Sequence, residues 1–291
     1  MLWSMSNHRP IPRQAFWSAC VTVAALGIVE LGLRWTDQGW SALYAGDPVV
    51  HWTLRSNLSI DAVPHAEEAA TFPVQTSTDG LRDGPIPASG PWVLALGCST
   101  TFGWGVAANE AWPERLEAML GMEVINAGVP GHSTHQGVRF AEHLIAQKPD
   151  VVLLGWGLRD GDRAPVSDAD RRPPPWPERL RTTQLLRRVF GSSRAQAASG
   201  ESYRVPPDEF SRNMAEAVSW ARRSGAQPVV VDMTQTAEHK RALRELGVPI
   251  VELALGEGDR FETDTVHFTA AGNRAIARQV AAVVAPLVTA E

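Results

Sequence analysis

Two hydrophobic patterns divide the chain. Over residues 15–33 apolar positions follow one another almost without a break, and Glu30 is the one charged residue among them. From residue 92 onward, short apolar runs alternate with longer stretches whose apolar positions recur every three or four residues. The first pattern has the length of a membrane-spanning helix, which needs roughly 20 apolar residues. The second is what buried parallel strands joined by amphipathic helices look like. It predicts strands over 92–96, 123–126, 151–154, 228–232 and 249–252. It predicts helices over 112–120, 134–147, 208–224, 236–246 and 270–284. Strands and helices in strict alternation imply an α/β fold. The expectation is a three-layer α/β/α sandwich on a five-stranded parallel sheet, flavodoxin-like in plan, preceded by one N-terminal transmembrane helix.

Two stretches break this rhythm. Residues 36–90 read as irregular, with scattered Trp, Pro and Gly, a candidate strand over 72–76 and a turn at Asp79-Gly80. They are expected to form a membrane-proximal extension packed on the main domain. Residues 164–207 interrupt the alternation after the third strand. They hold Arg171-Arg172-Pro173-Pro174-Pro175-Trp176-Pro177, a basic apolar helix candidate over 179–190 and a small-residue run over 191–200. So long an insertion is either a lid or membrane-contacting flap over the sheet edge, or a solvated loop. The expected plan is a tail (1–14), an anchor (15–35), the extension (36–90) and the main domain (91–291).

Composition changes this picture little. Of 291 residues, 44% are hydrophobic and 20% charged, as in ordinary globular proteins. A net charge of -5 provides no basic field for nucleic acid. Arg9 and Arg13 precede the apolar run, which favours a cytoplasmic N-terminus, a single-pass anchor in the cell membrane and a main domain outside. The alternatives are a cleaved signal peptide and a buried soluble helix. A cleaved signal needs a small-x-small site after the run, where Glu30-Leu31-Gly32-Leu33-Arg34-Trp35 stands instead. The two cysteines, Cys20 in the apolar run and Cys98, suggest no disulfide.

The chemistry starts at the first strand. The run 93–96 stops at Gly97, which permits a tight turn, and delivers Ser99 just past it. Reactive groups of parallel sheets sit past the carboxyl ends of strands. A serine nucleophile needs a base, and the base an orienting acid. Asp264-Thr265-Val266-His267 supplies both directly before the last helix. A fold with Ser99 after the first strand and His267 after the last would bring them to one edge.

At these residues the chain resembles the SGNH or GDSL-type esterases and acyl-hydrolases. Gly97-Cys98-Ser99, Asn126-Ala127-Gly128, Gly157-Leu158-Arg159-Asp160 and Asp264-Thr265-Val266-His267 follow the order of that family's four blocks, across residues 92–285. Upstream, Glu30-Leu31-Gly32-Leu33-Arg34 and Gly80-Leu81-Arg82 resemble its membrane-anchored bacterial members. The resemblance implies that Ser99 attacks an acyl carbonyl, His267 moves the proton and Asp264 holds the imidazole. It implies an oxyanion hole from the N–H groups of Ser99 and Gly128, with the third block's side chain completing it. The substrate would be a small-molecule or glycan ester. No cofactor is implied.

Two positions depart from the family pattern. Cys98 replaces an aspartate that is not the triad acid, and reads as a packed small residue. Arg159 replaces the expected asparagine. A guanidinium can donate to an oxyanion, but it is longer and charged, and can instead fill the pocket. Three functions therefore stand: a serine esterase, an O-acetyltransferase or deacetylase of a cell-surface glycan using the same triad, and a non-catalytic binding module on this fold. Trp104 and Trp156, beside the motif blocks, are expected to line a substrate pocket. Gly103-Trp104-Gly105-Val106-Ala107-Ala108 comes too far past its strand for a dinucleotide fingerprint. His132 and His135 lack convergent carboxylates or cysteines, so no metal is expected.

Overall fold

The computed structural model describes residues 13–36, 40–65, 68, 70–82, 84–171, 180–183, 185 and 202–288. The chain divides into two compact units, Met1–Gln38 with Pro173–Ala195, and Gly39–Arg172 with Gln196–Glu291.

In the first unit, helix α1 spans Arg13–Thr36. Its 21 residues Arg13–Leu33 are long and apolar enough to cross a membrane, and none of that stretch is buried. Glu30 is the exception to the pattern, and its carboxylate is not left alone. It accepts the N–H groups of Arg181 and Thr182, each at 3.0 Å, and the Thr182 hydroxyl at 3.2 Å. Residues 181–183 and 185 are helical. The remainder of the helix expected over 179–190, the proline-rich run and the small-residue run lie outside the described residues.

The second unit opens with α2 (Trp40–Leu43) and two antiparallel hairpins. Strand β1 (Tyr44–Asp47) pairs with β2 (His51–Leu54), and β3 (Ser59–His65) with β4 (Ala70–Gln75). The stretch expected to be irregular is thus mostly strand. Its alternation is hidden because the β3–β4 register shifts between Ile60 and Val63, which moves apolar residues off the period of two. Val63, Phe72 and Val74 point inward and share a core with Leu43, Leu54, Phe102 and Trp104.

The main sheet uses β5 (Trp92–Gly97), β6 (Glu123–Gly128) and β7 (Val151–Gly155). A short pair, β8 (Arg163–Ala164) with β9 (Ser202–Tyr203), flanks the insertion. Strands β10 (Gln227–Asp232) and β11 (Ile250–Glu252) complete the sheet, all parallel, in the order β11-β10-β7-β5-β6. Helices α3 (Ser99–Phe102), α4 (Trp112–Leu120), α5 (Thr134–Ile145), α6 (Pro207–Ser224), α7 (Ala237–Arg244) and α8 (Ala270–Val288) connect and cover it.

Strand β5 is buried at every position because both faces are covered. Alternate side chains serve different cores, as strand geometry requires. Leu94 and Leu96 face the layer of α5, α6 and α7. Val93 and Ala95 face the layer of α4 and α8, joined there by Cys98. Chain order reverses around β5, since β6 lies on one side of it and β7 on the other. Such a switch point leaves a crevice at the carboxyl ends.

Candidate active site

Three strands reach that crevice in register, each ending on glycine: Gly97 opposite Gly128, and Gly97 opposite Gly155. A Cβ on Gly97 would stand 2.0 Å from Thr101 Oγ1, one on Gly155 2.7 Å from the same atom, and one on Gly128 2.3 Å from the Phe102 nitrogen. The glycines therefore make a flat edge on which α3 lies. Cys98 precedes α3 and Gly103 ends it with φ 79°, a conformation that favours glycine. Ser99 is the first residue of this single turn, at a helix start where N–H groups have no helical carbonyl to bond.

The loop before α8 meets it. Ser99 Oγ lies 2.7 Å from His267 Nε2, and His267 Nδ1 lies 2.5 Å from Asp264 Oδ2. A carboxylate only accepts, so His267 carries its proton on Nδ1 and its Nε2 lone pair accepts the serine O–H. Asp264 Oδ1 accepts the N–H groups of Val266 (3.0 Å) and His267 (3.2 Å), which fixes the turn between them. Ser99, Asp264 and His267 are all buried.

A residue that the sequence reading missed completes this cluster. His65, the last residue of β3, donates from Nε2 to the same Asp264 Oδ2 at 2.8 Å. Glu68 accepts from Thr263 N–H (2.9 Å), Thr263 Oγ1 (2.7 Å) and Asp264 N–H (2.6 Å). A histidine and a glutamate in an apparently irregular stretch carry no spacing signal that points to residue 264. His65, Asp264 and His267 are the one group of three metal-type ligands among the described residues. Their separations are those of hydrogen bonds, whereas a metal needs each donor at about 2.0–2.2 Å from itself and not protonated toward a neighbour.

The electrostatics follow from burial and these bonds. Burial alone would raise the Asp264 pKa, but hydrogen bonds from His65 and His267 outweigh it and hold the carboxyl well below its ordinary range. Burial lowers the His267 pKa below 6.5 against the pull of Asp264, and the Arg159 charge lowers it further. The imidazole is thus a neutral base at neutral pH.

Arg159 sits on the loop after β7. Gly157, with φ +114°, starts the loop, and a Cβ there would meet Thr234 at 2.6 Å. Buried Asp160 ties the loop to α5 by accepting Thr134 N–H (2.9 Å), Thr134 Oγ1 (2.5 Å) and Gly157 N–H (3.2 Å). Arg159 Nη1 lies 3.2 Å from Asp162 Oδ2, and Arg159 Nε is buried with no partner among the described residues.

Two expected roles need correction. Gly128 N–H already donates to Asn126 Oδ1 at 3.1 Å, so this glycine serves the close approach of α3 and is not a free oxyanion donor. Trp156 is no pocket wall. It is buried in the core beneath α5, where a Cβ on Gly137 would stand 2.4 Å from its ring. Trp104 is also buried, with its ring centroid 6.3 Å from that of His267 and 4.8 Å from that of Phe72, behind the imidazole. Cys98 packs in the core with Sγ 3.3 Å from Thr100 Oγ1. Arg82 of the Gly80-Leu81-Arg82 run is buried over the Phe102 ring at 4.1 Å, and donates to the carbonyls of Pro73 and Val106. His132 and His135 turn to different partners, the Trp52 carbonyl and the Glu209 carboxylate, each at 2.8 Å.

Residues 95–275 match the model of the GDSL-like lipase/acylhydrolase family. Among solved structures, TesA is 17% identical over 67% of this chain and 99% of its own, with a TM-score of 0.49. The psychrotrophic esterase EstA from Pseudoalteromonas sp. is 14% identical over 69% and 100%, with a TM-score of 0.47. A catalytic variant of an acetylxylan esterase from Geobacillus stearothermophilus is 15% identical over 67% and 94%, with a TM-score of 0.42. No functionally curated protein matches the chain.

Proposed function

This chain belongs to the GDSL-like lipase/acylhydrolase family, and on that premise we propose that it cleaves a carboxylic ester through an acyl-enzyme on Ser99. The observation that carries the reading is the unbroken line from Ser99 Oγ through His267 to Asp264, with contacts of 2.7 and 2.5 Å. Ser99 Oγ attacks the ester carbonyl as His267 Nε2 takes its proton. The carbonyl oxygen becomes an oxyanion, held by the Ser99 N–H and the Arg159 guanidinium. His267 then gives its proton to the leaving alcohol, and the acyl group remains on Ser99. Water, deprotonated by the same nitrogen, attacks the acyl-enzyme and releases the acid. Asp264 stays ionised throughout and stabilises the imidazolium that forms in each half.

The substrate class is a small-molecule or glycan ester. α1 is the membrane anchor in this reading. The 21-residue, mostly apolar stretch Arg13–Leu33 and its exposure support it, and Arg9 and Arg13 at its start support a main domain outside the cytoplasm. Hydrolysis of p-nitrophenyl acetate and butyrate by the full chain tests the reading. Turnover by the natural protein and its loss in Ser99→Ala are expected. Equal turnover by the two proteins overturns the assignment.

A further inference from the structure

His65 is a buried imidazole at the site that the steps above do not use. Apolar rings and a glycine pack against its imidazole. The Phe261 centroid lies 4.8 Å away and the Phe72 centroid 6.3 Å. A Cβ on Gly105, whose φ is +91°, would stand 2.9 Å from the ring atoms. That glycine both adopts the left-handed backbone and leaves room for the imidazole. The charged and titratable groups facing the ring are Asp264 and His267 on the loop before α8, and Glu68 just past β3, which binds the backbone of Thr263 and Asp264.

The donating nitrogen follows from the bonds. Nε2 faces a carboxylate and therefore carries a proton. Nδ1 is buried and has no partner among the described residues. Asp264 then accepts four donors, two imidazoles on Oδ2 and two backbone N–H groups on Oδ1. It cannot rotate without losing two of them.

We propose that His65 is a positioning residue for Asp264, so that the hairpin of the N-terminal extension supplies a fourth member of the catalytic cluster. The proposal rests on the ester-hydrolase reading. His65 acts in two ways. It fixes the direction of Oδ2 toward His267, and it shares that oxygen's charge. Removing the donor leaves more of the charge to His267. The imidazolium is then better stabilised, and the acid limb of the pH profile moves to higher pH.

The test measures kcat and KM for p-nitrophenyl butyrate across pH in the full chain, as natural protein, His65→Phe, His65→Asn and His65→Gln. The phenyl ring keeps the shape without the donor, and the shorter asparagine falls out of reach. In both, kcat is expected to fall about 10-fold with KM within about twofold, and the acid limb to rise by about half a pH unit. The glutamine amide still donates and is expected to keep most of the rate and the original limb. If His65→Phe does not fold, His65→Asn carries the comparison. Variants with an unmoved limb overturn the role of His65 while natural turnover leaves the ester reading intact. A natural protein that turns over no ester overturns both.

Discussion

Replacing Arg159 by leucine separates an oxyanion donor from an obstruction. The Arg159–Asp162 pair is 3.2 Å long, with side chains 30% and 34% exposed. Pairs of this kind are worth about 0–1 kcal/mol, so little holds the guanidinium on Asp162. Its Nε is buried and has no partner among the described residues. Losing one oxyanion donor costs about 2.7–4 kcal/mol, on the order of 100–1,000-fold in kcat. That exceeds the ion pair, so the guanidinium is expected to turn to the oxyanion as charge develops there. Arg159→Leu is therefore expected to lower kcat by about 100-fold or more, with a smaller change in KM. It has a second signature. The Arg159 charge opposes protonation of His267, so its removal raises the imidazole pKa and moves the acid limb upward. The assay is p-nitrophenyl butyrate hydrolysis across pH, with Arg159→Asn alongside. An unchanged kcat in the leucine variant, or a faster asparagine variant, refutes the reasoning and marks the native arginine as an impediment.

Other outcomes follow from the same geometry. His267 must be neutral to act, and its pKa lies below 6.5, so kcat/KM of the natural protein is lost as pH falls through that lower pKa. The rate at pH 6.5 is expected to exceed half its plateau, and half or less would contradict the assignment of the base. Gly137→Ala places a Cβ 2.4 Å from the buried Trp156 ring. It is expected to destabilise the second unit by about 1–3 kcal/mol, lowering Tm by about 2–4 °C per kcal/mol, and an unchanged Tm in calorimetry argues against that packing. The full chain is expected to stay with membranes through a high-salt wash and to be released by detergent. Release by salt alone would remove α1 as an anchor.

The strands and helices of the main domain were legible because both faces of the sheet are covered. Runs such as Trp92–Gly97 and Val151–Gly155 read as continuous apolar segments, and amphipathic helices separate them. Ser99, Asp264 and His267 were legible from their positions, after the first strand and before the last helix. The hairpins of the extension were not, because a register shift and the positive φ of His51 and Asn57 break the strand pattern. His65 and Glu68 were invisible for the same reason. Their partner lies 199 and 196 residues away, and only the fold brings them to it. Gly128 shows the opposite failure. Its place in the motif suggested a free donor, but the Asn126 side chain two residues earlier takes its N–H. Trp156 was legible as a large aromatic near the motif but not as a core residue, since its burial depends on the absence of a side chain at Gly137.

The central claim is that Ser99 is an activated nucleophile. A fluorophosphonate probe followed by peptide mass spectrometry tests it most directly, because the adduct reports the atom that attacks and needs no knowledge of the natural ester. One adduct is expected, on Ser99, absent from His267→Ala under the same conditions. An adduct on Cys98 or on another serine, or a folded protein that takes no label, contradicts it.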